Sequence, residues 1–323
     1  MEKITCNICG YSGDAKIYSI KDMLFDMNES FNYFECPDCN CLQLHEIPDN
    51  ISDFYPKKYS AYNKHKTVKK YNSILRFLKL KKSEFCLGYN KNILGGLMKY
   101  FYGGGFIEKL KPANVKFNDK ILDVGTGTGG RILDMEARGF TNLTGTDIFI
   151  DEEINYENGV KILKIDISEM DDIYDFIMLN HSFEHMSNPL NVMKHLNRLI
   201  KNGKYVLIRI PVSDSYSWKK YRENWVGLHA PRHFYLHNKK SMELLAKKSN
   251  FILEKVIYDS TDYQFIGSEQ YLKNIPAYSE NSYFVNPQKS IFTKNDIKKF
   301  KTLAKKLNIK EEGDTACFYF LKP

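Results

Sequence analysis

Residues 121–130 read "ILDVGTGTGG": a short apolar run with one acid, passing without a break into six glycines and threonines. Four apolar or acidic residues followed by a glycine loop and then "RILDMEARGF" (131–140) predict a buried strand, a tight turn and a helix stopped by Gly139. Gly125-Thr126-Gly127-Thr128-Gly129-Gly130 satisfies G-x-G-x-x-G, and loops of this kind let a ligand approach the backbone closely. The position of Asp123, two residues before the first glycine, narrows the ligand. A carboxylate at the mouth of the first strand repels a pyrophosphate and suits a cationic amino-acid ligand.

The pattern continues on both sides. "LTGTDI" (143–148), "VKILKIDI" (160–167), "YDFIMLN" (174–180) and "KYVLIRIP" (204–211) read as further strands, with a helix through "PLNVMKHLNRLIKNG" (189–203). "FILEKVIYD" (251–259) and "ACFYFLKP" (316–323) complete seven. Strands alternating with helices predict an α/β fold, a doubly wound and mostly parallel sheet whose ligand site lies at the carboxyl ends of the strands. Asp147 ends the second strand, where it can accept from two ribose hydroxyls, and Asp166 ends the third, near an adenine amino group.

Upstream, Cys6-x2-Cys9 and Cys36-x2-Cys39 are two close pairs separated by 26 residues. In a chain whose start lacks a signal peptide's apolar core, that spacing favours a tetrathiolate structural zinc site over two disulfides. "AKIYSI" and "FNYFEC" read as short strands of a zinc ribbon over residues 1–50. Cys41, Cys86 and Cys317 fall outside the pattern and are expected as small apolar residues. Residues 51–117 form a Tyr- and Lys-rich helical connector whose "GGLMKYFYGGG" (95–105) offers flexibility and apolar contacts, and 118–323 the α/β domain.

The chain has 323 residues, 14% of them aromatic, which excludes a disordered protein. No apolar run approaches the roughly 20 residues that span a bilayer, so a cytoplasmic protein with no membrane partner is expected. Net charge is +8, and ten Lys or Arg with no acid lie between Lys57 and Lys82; a second Lys-rich stretch runs from Lys289 to Lys310. Such stretches suit a phosphorylated or nucleotide-linked small molecule or an RNA, and equally a solvated helix surface.

The whole pattern resembles the class I S-adenosylmethionine (SAM)-dependent methyltransferases. "ILDVGTGTGG" is similar to their first motif, "GTDI" to the acidic second, "KIDI" to the third, and "DFIMLNHSFEHMSNP" to the fourth-strand segment. "WVGLHAPRHFYLHNKKSMELLAKKSNF" (225–251) resembles a narrower group that joins a four-cysteine zinc ribbon to a methyltransferase domain and is often associated with surface-glycan biosynthesis. The resemblance implies SAM bound by Asp123, Gly125, Thr126, Gly127, Gly129, Asp147, Ile148, Asp166, Ile167 and Asn180, and a sugar or sugar nucleotide methylated at O or N. An RNA methyltransferase using the ribbon and the basic connector is the alternative. A non-catalytic SAM-binding scaffold is another.

"HSFEH" (181–185) alone has the H-x-x-E-H spacing of an inverted zinc protease, with i, i+3 and i+4 sharing a helix face. In this fold the segment lies just past the fourth strand, where a methyl group meets its acceptor, and a protease would need a different frame. Two readings stay open. His181 is a general base while Glu184 and His185 line the pocket, or the three hold a divalent metal. His229 and His233 are alternative bases, Arg232 a partner for phosphate or carboxylate, and Trp225, Tyr59 and Tyr62 further contacts to the substrate.

Overall fold

The computed structural model describes residues 2–25, 27, 29–55 and 71–323. Tyr59, Tyr62 and the basic residues from Lys57 to Lys70 lie outside them. The chain opens with an antiparallel ribbon: β1 (Glu2–Thr5), β2 (Ser12–Lys21), β3 (Ser30–Glu35) and β4 (Leu42–Leu44), paired in chain order. Each cysteine pair sits on a turn of the same construction. The amides of Cys6 and Cys36 donate to the carbonyls of Tyr11 and Cys41, and Gly10 and Asn40 return to the carbonyls of Cys6 and Cys36. Gly10 and Asn40 both take the left-handed backbone that such a turn requires, at φ 89° and 55°.

α1 (Ser73–Leu87) and α2 (Ile93–Tyr102) follow, capped by the side chains of Asn72 and Asn92. Much of the "GG" stretch is thus helix. Gly95 is required by packing rather than flexibility, since a Cβ there would lie 2.3 Å from the Lys81 carbonyl oxygen of α1.

The large sheet is built from β5 (Lys120–Val124), β6 (Asn142–Thr146), β7 (Ile154–Asn155), β8 (Lys161–Leu163), β9 (Tyr174–Asn180), β10 (Ile200–Pro211), β12 (Ile252–Tyr258) and β13 (Thr315–Leu321), in the order β12-β13-β10-β9-β5-β6-β8-β7. It therefore has eight strands where seven are expected from the sequence. The extra one, β7, is two residues long and forms an edge hairpin with β8, too short to leave a periodic pattern. β8, β6, β5, β9 and β10 run parallel, and β13 is antiparallel to both its neighbours. The helices α3 (Gly130–Glu136), α4 (Pro189–Leu199), α5 (Tyr216–Tyr221), α6 (Lys239–Lys248), α7 (Tyr263–Tyr271) and α8 (Lys294–Ile309) complete the domain.

Both faces of the sheet are covered, which is why its strands read as continuous apolar runs. Phe176, Met178, Cys317 and Tyr319 pack into one core; Ile177, Leu179, Phe318 and Phe320 alternate with them into the other. Tyr18, Tyr33 and Leu42 of the ribbon belong to that second core. A two-residue strand, β11 (Tyr235–Leu236), extends the ribbon sheet by pairing antiparallel with β4. The ribbon over 1–50 is therefore not a free module: it is continuous in sheet and core with the α/β domain. β5 has β6 on one side and β9 on the other, so the strand order reverses there and opens a crevice at their carboxyl ends.

Candidate active site

The crevice begins at the end of β5. Gly125, Gly127 and Gly129 all have positive φ, at 70°, 57° and 81°. A Cβ on Gly125 would meet Ser182 Cβ at 2.4 Å, so the loop lies hard against the chain leaving β9. Asp123 is buried and accepts from the Thr126 hydroxyl at 2.7 Å. Burial pushes its carboxyl up to about 6, against the opposing pull of Arg131. Asp147 accepts from the amides of Gly127 (2.8 Å) and Phe149 (2.9 Å), which joins the second strand end to the glycine loop. Ile148 stands half-exposed at the rim.

Asn180 ends β9 with a buried Oδ1 that has no hydrogen-bond partner among the described residues. Two carboxylates at adjacent strand ends, an orphan acceptor and a loop admitting close backbone approach fit a cationic nucleoside amino acid such as SAM. Asp166 is exposed and caps the turn Ile167–Glu169 through Ser168, at 2.8 Å. The Ile167 side chain is buried in the core shared with the ribbon.

The segment after β9 is not an α-helix. Only Phe183–His185 forms a single 3-10 turn, so the helical spacing of H-x-x-E-H does not apply. His181 takes φ 54°, an uncommon value for a non-glycine residue. Its Nδ1 lies 3.3 Å from Glu184 Oε1, and its Nε2 meets the Arg209 guanidinium. Arg209 is also paired with Asp259 at 2.8 Å. An arginine only donates, so Nε2 of His181 carries the lone pair and Nδ1–H points to Glu184.

Glu184 is fully buried, with His233 Nε2 at 3.8 Å from Oε1. His185 and His233 each turn Nδ1 to a main-chain carbonyl, of Arg232 and Gly227, both at 2.8 Å. Their rings meet edge to face with centroids 4.8 Å apart, and His229 stacks on His233 at 4.8 Å. Burial lowers the pKa of all three. His229 is pushed down to about 3, with Arg232 adding to the effect, and His233 goes well below the ordinary range, helped by His185.

The four cysteines form the other cluster. Cys6 and Cys39 sulfurs lie 3.6 Å apart and those of Cys9 and Cys36 3.5 Å apart, and one donor from each lies within 4.8 Å of the rest. Four sulfurs about 2.3 Å from a tetrahedral zinc stand about 3.8 Å apart, so the set fits that ion. The amides of Ile8 and Tyr11 and the side chain of Gln43 point at the sulfurs, at 3.4, 3.5 and 2.9 Å, as negatively charged thiolates require.

Over residues 74–256, more than half of the chain, the sequence matches the profile of a family described as a methyltransferase domain. The chain belongs to that family. Uncharacterized protein MJ1123 of Methanocaldococcus jannaschii is 26% identical over 142 residues, which are 43% of this chain and 60% of that protein, so less than two thirds of the relative's length is spanned. Among solved structures, a putative methyltransferase (BH2331) of Bacillus halodurans C-125 matches with TM-score 0.40 and 16% identity over 68% of this chain and 100% of that one. The complex of the Haloferax volcanii Trm112 methyltransferase activator with its putative methyltransferase gives TM-score 0.43 and 12% identity, over 75% and 97%.

Within this methyltransferase domain, two residues expected at the substrate have interior positions instead. Trp225 is fully buried, lies against Trp218 with ring centroids 6.3 Å apart, and donates to Asp314 at 3.1 Å. Arg232 is fully buried too. It donates to both oxygens of Asp22 (3.1 and 3.2 Å), to the Phe54 carbonyl (2.6 Å) and to the Ala230 carbonyl (3.1 Å), which leaves its fork occupied and unable to take a substrate phosphate. This pair joins the ribbon to the domain. Sequence reading missed Asp22, Arg209 and Tyr55, whose hydroxyl lies 3.2 Å from His185 Nδ1. Only Arg209 left a trace, as a lone charge inside the apolar run of β10.

Proposed function

We propose that this chain is a SAM-dependent methyltransferase that methylates a hydroxyl or amino group of a sugar or nucleotide-linked sugar, with a structural zinc in its ribbon. The observation that carries the reading is the pairing of Asp123 and Asp147 with the glycine loop at the strand-order reversal. In this reading Asp123 faces the cationic amino-acid end of SAM, Asp147 accepts from its ribose hydroxyls, and Ile148, Asp166 and Asn180 border the adenine and the crevice wall. Bound SAM supplies a methyl group on a positively charged sulfur, ready for in-line displacement.

The base assignment follows from the geometry around Glu184. Burial lowers the basicity of His229 and His233, which makes them poorer proton acceptors than an exposed imidazole. His181, half-exposed and held at Nδ1 by Glu184, presents Nε2 to an acceptor hydroxyl once the Arg209 guanidinium gives way. Glu184 then stabilises the imidazolium, as a carboxylate does for the histidine of a catalytic triad. Burial of the Glu184 carboxylate strengthens that interaction.

A small acceptor is favoured over RNA by the described part of the basic stretch. Lys79 pairs with Asp134 at 2.6 Å, Lys81 with Glu84 at 2.9 Å, and Arg76 with Glu136, while Lys82 is buried. No described helix is long and apolar enough to cross a membrane. The test offers methyl-labelled SAM with a nucleotide-sugar mixture in parallel with total RNA. Label in the small-molecule fraction, lost in His181→Ala, supports the reading; label in RNA, or none with SAM bound, overturns it.

A further inference from the structure

We propose that Glu184, His185 and His233 form a second metal centre, separate from the four cysteines, which holds a divalent first-row transition metal ion. The three residues offer ligand atoms that all lie within 4.8 Å of one another. Two imidazoles and one carboxylate suit manganese, iron, cobalt or zinc, with positions left open for other oxygen ligands.

The orientation of each donor supports this more than proximity does. His185 and His233 both place Nδ1 at 2.8 Å from a main-chain carbonyl oxygen. A carbonyl only accepts, so Nδ1 carries the proton and Nε2 keeps its lone pair in both rings. Metal-ligating histidines are held in this way, their second nitrogen fixed by a carbonyl or carboxylate. Glu184 completes the set: it is fully buried, its Oε1 faces His181 Nδ1 and His233 Nε2, and its Oε2 has no hydrogen-bond partner among the described residues.

A buried carboxylate oxygen without a partner is costly unless a cation faces it. The two nearby guanidiniums are engaged elsewhere, Arg209 with Asp259 and His181, and Arg232 with Asp22, Phe54 and Ala230. Ligands in adjacent positions about 2.1 Å from a metal stand about 3.0–3.4 Å apart. The 3.8 Å between His233 Nε2 and Glu184 Oε1 closes to that with a small rotation of the carboxylate. His181 is not a ligand in this arrangement but holds Oε1 from outside. On the methyl-transfer reading the open positions would bind the acceptor's oxygens; the metal site itself does not depend on that reading.

The test titrates protein that carries a single zinc per chain, in the cysteine site, with Mn(II), following loss of the free-ion electron paramagnetic resonance signal. Manganese prefers oxygen and nitrogen donors and leaves the thiolates to zinc. One Mn(II) per chain is expected, with affinity weakened at least about tenfold by Glu184→Gln and by His233→Gln, while zinc content and melting behaviour stay unchanged. No stoichiometric binding to the wild type, or unaltered binding in folded variants, overturns the proposal. If the variants fail to fold, the proton spectrum of wild type loaded with Co(II) at this site decides. Two solvent-exchangeable, hyperfine-shifted imidazole N–H signals support it, and none overturns it. SAM affinity measured on the same preparation separates failure of the metal site from failure of the methyltransferase reading.

Discussion

The cysteine cluster and the histidine cluster are both donor sets drawn from separate loops, yet one is plain in the sequence and the other is not. Each cysteine pair is made by a six-residue turn that repeats its own hydrogen bonds, so two copies of a local motif announce a four-ligand site. His185 and His233 belong to no such motif. They meet because β11 adds to the ribbon at β4 and because the amide of Phe234 donates to the Glu184 carbonyl at 2.8 Å. Local geometry is written in spacing, whereas a site assembled by tertiary pairing is written only in the fold.

If the second cluster depends on the first through β11, disrupting the zinc site should reach it. Cys36→Ser should release zinc and give the largest destabilisation of any change considered, since structural zinc is worth on the order of 10 kcal/mol in small zinc modules. Hydrogen exchange should accelerate in β2–β4 and also across residues 228–237. Unchanged protection of 228–237 would show that the histidine loop stands without the ribbon.

The buried ion pair is the other tie between the two regions. Arg232→Met leaves Asp22 charged and unpaired in the interior and should cost about 3–5 kcal/mol in chemical denaturation. Adding Asp22→Leu should recover most of it, because two apolar side chains of similar size need no partner. A full-stability Arg232→Met protein with a raised KM would instead return this arginine to the substrate.

A smaller effect is expected at Asp123, where function opposes stability. Its carboxyl has an ordinary value of 3.8 in the unfolded chain and about 6 in the folded one. Its contribution to stability is therefore fully present below 3.8 and lost as pH rises through about 6. Asp123→Asn removes a carboxylate the fold disfavours and should stabilise the protein at pH 7 by up to about 2 kcal/mol. The same change should weaken SAM binding at least about tenfold by removing a charge that faces the cation. In wild type, SAM affinity by calorimetry should fall about tenfold from pH 7 to pH 5 as the carboxyl protonates, and the variant should lose that dependence.

How far each region was legible follows from the same contrast. β5, β6, β9, β10 and β13 could be read because a sheet covered on both faces needs uninterrupted apolar runs, and β7 could not because two residues carry no period. The glycine loop and its two aspartates could be read because each position is tied to a strand end. H-x-x-E-H misled as a helical spacing because the chain makes only one 3-10 turn there. Trp225 and Arg232 have the chemistry of a binding site, and their interior roles depend on Asp314 and Asp22, which no spacing rule connects to them.

The least perturbing change bears on the basic stretch, the one feature that suited two partners. Arg76, Lys79 and Lys81 pair with carboxylates on a partly exposed surface, and such pairs contribute about 0.2–1 kcal/mol each. Replacing all three with alanine should lower the melting temperature slightly and leave kcat/KM on a small acceptor within about twofold of wild type. If these residues instead tracked a phosphate backbone, the loss would be far larger and strongly salt-dependent, because each phosphate contact releases condensed counterions. A steep fall of activity between low and moderate salt, flattened in the triple variant, would make α1 a nucleic-acid contact and displace the small acceptor. A flat salt response in both proteins would leave the three side chains as a solvated helix surface paired with the acids of α1 and α3.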